Sequence, residues 1–231
     1  MNIATQRVVV LGGTSGIGYA TAAAAAGQGA EVVVVSSDRR RVDDAAARLG
    51  ATGLTADLTD PPTGLFERIG PFDHLVYTAG GPLSLMPVTS FDPRVAREFF
   101  GLRYFGALSA VRAALPFLRE GGSITLTTGT AGNRPAPGWA LGASICGAMD
   151  SLTRALAVEL APIRVNAVRP GVTRSPLWGD DAGDFYEQTA AGVPLGRVGE
   201  VTDVADAYLY LIGQSFTTGT ILTVDGGALL A

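Results

Sequence analysis

Val8-Val9-Val10-Leu11-Gly12-Gly13-Thr14-Ser15-Gly16-Ile17-Gly18 is the stretch on which the fold turns. Four aliphatic residues in a row suit a strand covered on both faces. A glycine-rich turn follows, and from Ile17 the Ala-rich run to Gln28 reads as a helix. Gly12, Gly16 and Gly18 have the spacing G-x-x-x-G-x-G. Glycines there let the backbone turn tightly and approach a pyrophosphate, whose charge sits at the helix N-terminus. Such a turn alone is weak evidence, but here the strand before it and the helix after it are both present.

The pattern repeats outward. Val32–Val35, Leu75–Tyr77, Ser123–Thr127, Arg164–Val168 and Ile221–Val224 read as further strands. Asp38–Leu49, Arg94–Leu118, Cys146–Leu160 and Val201–Ile212 read as the helices between them. Asp92-Pro93 is an N-cap followed by Pro at the first helical position. Alternation of this kind predicts an α/β Rossmann fold: a doubly wound parallel sheet of about seven strands with helices on both faces. No linker or repeat divides the 231 residues, so a single dinucleotide-binding domain over 1–231 is expected. The irregular segment 175–199, rich in Gly, Asp and aromatics, is the expected substrate lid.

Composition narrows the chemistry. The chain is 47% apolar and 16% charged with net charge −4, and all 17 basic residues are Arg. Without Lys there is no Schiff base and no Tyr-Lys catalytic pair. One His (His74) and one Cys (Cys146) build neither a His/Cys metal site nor an internal disulfide. The acidic balance gives no electrostatic reason to bind nucleic acid or an anionic membrane. Met1–Gln6 is too short and polar for a signal peptide, and no apolar run approaches the about 20 residues of a membrane span. A cytoplasmic protein acting on a small molecule is expected.

Over nearly its whole length the chain resembles the short-chain dehydrogenase/reductase family. Gly12–Gly18 matches the family's cofactor loop, and Asp57-Leu58 its adenine-contacting pair. Thr78-Ala79-Gly80 matches the end of its Asn-Asn-Ala-Gly segment. Leu152-Thr153-Arg154 and Arg164-Val165-Asn166-Ala167-Val168-Arg169-Pro170-Gly171 are close to its long helix, sixth strand and Pro-Gly turn. Pro194-Leu195-Gly196-Arg197 and Val224-Asp225-Gly226-Gly227 match its C-terminal signatures. The resemblance implies cofactor contacts at Gly12, Thr14, Ser15, Gly16, Ile17, Gly18, Asp57, Leu58, Ala79 and Gly80. It also implies contacts at Pro170, Gly171, Val172 and Ser175, the last two toward the carboxamide. The family's NAD-selecting Asp position falls on Ser36 and its usual Arg position on Ser37, with Arg39, Arg40 and Arg41 close behind. Ser36 removes a carboxylate that would repel a 2′-phosphate, and Ser37 and Arg39 can donate to one, so NADP(H) is favoured over NAD(H).

The family moves its proton with a Tyr tuned by a Lys four residues later, a Ser that positions the oxygen, and an Asn that holds a water relay. Free Tyr titrates near 10, so the tuning matters. An ungapped count back from Leu152 puts Lys on Cys146 and Tyr on Gly142; aligning Ala143-Ser144 instead puts them on Ile145 and Leu141. Neither register supplies the pair. The Ser position falls within Thr127-Thr128-Gly129-Thr130, and the Asn position on Arg103. Thr128, Thr130 and Arg103 are therefore the candidate catalytic residues: the hydroxyls to hold a substrate oxygen, the guanidinium to hold an oxyanion or carboxylate. Trp139, Trp178, Phe185 and Tyr186 are candidates for a pocket wall. His74 lies at the start of its strand, away from the ligand end, and Asn166 and Arg169 are expected to support the Pro170-Gly171 turn.

The favoured reading is an atypical NAD(P)(H)-dependent oxidoreductase acting on a carbonyl, imine or similar acceptor. The alternatives are an inactive nucleotide-binding homologue and a non-redox enzyme using the same pocket. The resemblance implies a homodimer or homotetramer, built through Arg94–Leu118, Cys146–Leu160 and Ile221–Ala231.

Overall fold

A computed structural model of the chain describes residues 3–59, 64–83, 85–179 and 181–231. Residues 1 and 2, at the head of the Met1–Gln6 segment, and residue 180, within the 175–199 segment, lie outside the described residues. Seven strands form one parallel sheet: β1 (Arg7–Leu11), β2 (Glu31–Ser36), β3 (Thr52–Thr55), β4 (Phe72–Tyr77), β5 (Leu118–Thr127), β6 (Arg164–Pro170) and β9 (Ile221–Val224). Their order is β3-β2-β1-β4-β5-β6-β9. The order reverses between β1 and β4, which pair from Val8↔His74 to Leu11↔Tyr77. The crevice at the carboxyl ends of those two strands is where such sheets bind ligands. A separate two-stranded ribbon pairs β7 (Thr173–Arg174) with β8 (Gly199–Glu200).

Period-two alternation explains the two layers of helices. Val9, Leu11, Val33, Val35, Leu75 and Ile124 point into one apolar cluster. It is closed by α3 (Leu65–Ile69), α4 (Pro93–Phe100), α5 (Ala107–Ala114) and α6 (Ala140–Glu159). Their neighbours Val8, Val10, Val32, Val34 and Val76 point into the other. That side is closed by α1 (Gly16–Gly27), α2 (Arg39–Leu49) and α8 (Val201–Gly213). Each fully buried Val contributes about 1.5–3 kcal/mol relative to an exposed one, so the valine-rich strands fix both faces at once. Among the described residues no helix is long and apolar enough to cross a membrane.

The helix expected over Arg94–Leu118 has internal structure. Asp92 caps it, its carboxylate accepting from the Arg94 N–H at 2.8 Å. After α4 the backbone widens into a π turn over Gly101–Gly106 before α5, and Leu118 already belongs to β5. Single π turns inside helices are rare and cluster at functional sites. Helix α6 starts six residues before the expected Cys146, at Ala140. Strand β3 and helix α3, which the sequence pattern did not mark, complete the fold.

Candidate active site

A cleft of about 800 Å³ opens at the carboxyl ends of the strands. One end is formed by the β1–α1 turn. Gly12 has φ +90°, and a Cβ there would meet the Ala79 nitrogen at 2.6 Å. A Cβ on Gly18 would lie 2.3 Å from the Gly12 carbonyl oxygen. Only glycine permits this packing of turn, helix and β4 end. Helix α1 has no side-chain cap on Ser15 and no acidic residue in its first turn. Its first N–H groups therefore face the cleft as free donors, the arrangement a pyrophosphate needs. Thr14, Ser15, Gly16, Ile17 and Gly18 all line this end.

Ser36 and Ser37, at the end of β2, line the same end, but Arg39 does not. Arg39 is 84% exposed and points to Asp43 at 3.7 Å on the next turn of α2. Arg41 lines the cleft instead. The Asp38 carboxylate caps α2 by accepting from the Arg41 N–H at 3.1 Å, and it meets the Arg41 guanidinium at 3.2 Å. The bond from the Arg41 N–H, above the other causes, lowers the Asp38 pKa. The spacing Asp38-x-x-Arg41 was the available signal: an N-cap folds the residue three places on back toward itself.

Asp57, Leu58, Ala79 and Gly80 line the cleft beside this end. Asp57 is oriented by its own turn, accepting from the Thr59 N–H at 2.9 Å and its hydroxyl at 2.8 Å; these bonds lower its pKa. Pro170, Gly171, Val172 and Ser175 also line the cleft, and a Cβ on Gly16 would lie 3.7 Å from the Ser175 Cβ. Ser175 is held by Tyr186, whose hydroxyl accepts from its N–H and donates to its carbonyl, both at 3.2 Å.

The other half of the cleft is apolar. The loop after β4 supplies Leu83 and Leu85, the α4 and π-turn segment Phe99 and Leu102, and α6 Gly142, Ile145, Cys146 and Met149. Of these only Gly142, Ile145 and Cys146 stand out in the sequence; the rest come from separate elements with no local motif. The segment 175–199 contributes Leu177 and Trp178. Trp178 stands between Trp139, at 6.3 Å between ring centroids, and Phe185, at 4.6 Å. Trp139 and Trp178 thus wall the cleft, whereas Phe185 backs Trp178 and Tyr186 is buried with Ala182 and Val198 in a small cluster of its own. Helix α7 (Gly183–Ala190) carries that cluster.

Polar groups in the apolar half are few. Arg103 rises from the π turn, its guanidinium 4.1 Å from the Phe99 ring centre. It donates to the carbonyls of Gly81 and of Pro82, the latter at 3.3 Å. Thr128 donates its hydroxyl proton to the Cys146 carbonyl at 3.0 Å. Its proton is therefore spent on α6. Thr130 opens the turn after β5 on the cleft rim. The Cys146 thiol is pushed up in pKa by burial. Of the six tyrosines, Tyr77 is the one among the described residues that lines the cleft; its hydroxyl donates to the Leu102 carbonyl at 2.6 Å, and burial raises its pKa above the usual range.

Three residues expected in structural roles lie outside this lining. His74 is buried at the opposite end of the sheet, between Ser123 at 2.8 Å and Gln6 at 3.1 Å. Asn166 does not brace the Pro170-Gly171 turn; it ties down the loop before β9, donating to the Thr217 carbonyl at 2.8 Å and accepting from the Thr220 N–H at 3.1 Å. Arg169 pairs with Asp150 of α6, both nearly buried, and reaches Thr223 at 3.4 Å. Among the described residues, no three His, Cys, Asp or Glu are grouped to hold a metal ion.

Comparison with known proteins agrees with this geometry. A family profile described as an SDR-like Rossmann domain matches residues 1–231. The short-chain dehydrogenase/reductase ATR9 of Stachybotrys chlorohalonatus is 38% identical over 97% of both chains. A small-chain dehydrogenase crystallised in complex with NADPH is 38% identical, with a TM-score of 0.86 over 98% of this chain and 100% of its own. MalC Reductase/Diels-Alderase from Malbranchea aurantiaca is 28% identical, with a TM-score of 0.92 over 99% of this chain and 98% of its own.

Proposed function

The chain belongs to the short-chain dehydrogenase/reductase family, and from that premise we propose that it is an NADP(H)-dependent oxidoreductase that works without the Tyr/Lys proton relay. The nicotinamide cofactor, when bound, supplies or accepts hydride. Its holders are the α1 N-terminus with Gly12, Thr14, Ser15, Gly16, Ile17 and Gly18, together with Asp57, Leu58, Ala79, Gly80 and the 170–175 wall. Ser36, Ser37 and Arg41 hold the 2′-phosphate, with Arg41 taking the part that the sequence assigns to Arg39. The NADPH-bound relative supports this choice of cofactor.

One observation carries the departure from the usual chemistry. The chain has no Lys, and the α6 wall presents Gly142, Ile145 and Cys146 where a proton donor is needed. The remaining groups do a different job. Arg103 stabilises negative charge on the acceptor, Thr130 and the lone pairs of Thr128 position its polar atoms, and Trp139 and Trp178 exclude water. The 175–199 segment acts as the lid, and Ala182, Tyr186 and Val198 give it an apolar cluster of its own. Exposed Phe105 and Leu108 and the half-exposed edge strand β9 support assembly as a homodimer or homotetramer, and the fold suits a cytoplasmic enzyme.

NADPH oxidation measured across ketones, imines and activated alkenes tests the reading. Turnover of at least one class is expected, with Arg103→Ala slowing it. Tight NADPH binding without turnover of any class overturns it in favour of a nucleotide-binding protein. The Malbranchea relative, called both a reductase and a Diels-Alderase, supports a second reading, non-redox chemistry in the same cleft. Product formed from an acceptor without consumption of NADPH would identify it.

A further inference from the structure

The surroundings of Arg103 narrow the kind of acceptor that the cleft takes. Its guanidinium is desolvated and held between the Phe99 ring and the carbonyls of Gly81 and Pro82. Among the described residues it makes no ion pair, and the ionisable groups that bear on it are Cys146 and Tyr77, both uncharged near neutral pH. Carbonyl dipoles and a ring face satisfy donors but do not cancel a charge. A half-buried cation without a counter-ion carries a desolvation cost, and an arriving anion recovers part of it.

We infer that Arg103 makes the apolar half of the cleft a receptor for a delocalised oxyanion, an enolate or phenolate, carried on a flat apolar molecule. The inference rests on the oxidoreductase reading only for the reaction that would form such an anion; the binding itself does not. A localised alkoxide needs an acid of matched pKa within reach. Among the described residues the cleft holds none: the Tyr77 proton is committed to Leu102, the Thr128 proton to Cys146, and the Cys146 thiol is raised by burial. A delocalised oxyanion needs no such acid, only fixed positive charge beside an apolar wall, which Arg103 provides. Trp139, Trp178, Leu102 and Ile145 all line the cleft, and such a lining suits a flat conjugated body.

The substrate class follows: carbonyl compounds conjugated to a C=C bond, or their phenolic tautomers. Reduction then balances as hydride gained at the β carbon from the reduced nicotinamide, the C=C electron pair moving onto oxygen, and a proton gained at the α carbon from water.

Binding of 4-nitrophenol, followed by the absorbance of its phenolate with and without saturating NADP⁺, tests the inference independently of turnover. Wild type is expected to bind the phenolate at least about tenfold more tightly than nitrobenzene, lowering the apparent pKa of the bound phenol. Arg103→Gln should abolish that preference with NADP⁺ affinity unchanged, and Arg103→Lys should restore part of it. Equal wild-type affinity for phenolate and nitrobenzene overturns the inference, whether or not the variants fold. A loss of NADP⁺ affinity in Arg103→Gln also overturns it, because the arginine then serves the cofactor. Phenolate capture without turnover of any acceptor sustains the inference while removing the oxidoreductase reading.

Discussion

The Tyr77 hydroxyl, at the end of β4, donates a 2.6 Å hydrogen bond to the Leu102 carbonyl inside the π turn. That bond joins the central strand to the segment that carries Arg103, whose guanidinium returns to the loop following the same strand. Strand, π turn and loop thus form a closed circuit around the base of the cleft. Tyr77 thereby anchors a carbonyl of the widened turn to β4.

Removing that hydroxyl takes away a part-buried hydrogen bond, worth about 0.5–1.5 kcal/mol. Tyr77→Phe should lower the urea midpoint accordingly. If the turn also positions Arg103, the variant loses phenolate affinity while keeping NADPH affinity. A variant with unchanged midpoint and unchanged phenolate binding would show the bond to be incidental.

The proposed 2′-phosphate contact provides a second test, since neighbouring arginines of one helix turn have different surroundings. Arg41 lines the cleft beside Ser36 and Ser37, whereas Arg39 faces solvent toward Asp43. A charge-assisted contact to phosphate is worth about 1.5–3 kcal/mol. Arg41→Ala should therefore weaken NADPH binding about tenfold or more by fluorescence titration, with NADH binding little changed. Arg39→Ala should leave both affinities at wild type. Equal effects of the two substitutions, or an equal loss of NADH affinity in Arg41→Ala, would remove Arg41 from the 2′-phosphate site.

The same two arginines mark how far the sequence is legible. The glycine turn, Asp57-Leu58 and Pro170-Gly171 are contiguous motifs at strand ends, so order along the chain is enough to locate them. Whether Arg39 or Arg41 faces the cleft depends on the phase of α2, which starts one residue after Asp38 because that carboxylate caps it. Strand β3, Thr52-Gly53-Leu54-Thr55, is a partly exposed edge strand without the continuous apolar run of β1 or β2. The first six residues of α6 carry no start signal, and Trp139 at its N-cap makes no side-chain capping bond. The apolar wall of Leu83, Phe99, Leu102 and Met149 is gathered from three segments, so only folding brings it together. Phe185 and Tyr186 look alike in the sequence as wall candidates, yet packing inside the lid puts one behind Trp178 and the other under Ser175.

Far from the cleft, His74 makes stability depend on pH. The Gln6 side-chain oxygen at 3.1 Å accepts from Nε2–H, so Nδ1 is the acceptor for the Ser123 hydroxyl at 2.8 Å. This is the neutral ring. Burial first, and then the Arg164 guanidinium, lower the His74 pKa from 6.5 to about 4, with Asp73 pulling the other way. Above pH 6.5 the ring is neutral in both the folded and unfolded chain, and the stabilisation is fully present. Between 6.5 and about 4 the unfolded chain takes up a proton that the folded one refuses, so stability falls as pH falls. The loss approaches about 3 kcal/mol, since each tenfold weakening of proton affinity in the folded chain is worth about 1.4 kcal/mol. His74→Gln keeps a polar group beside Gln6 and Ser123 but does not titrate. Urea midpoints at pH 7 and pH 4.5 should therefore drop further in wild type than in His74→Gln, with the carboxylates contributing equally to both. Parallel drops in the two proteins would mean that the buried ring takes up its proton without resistance.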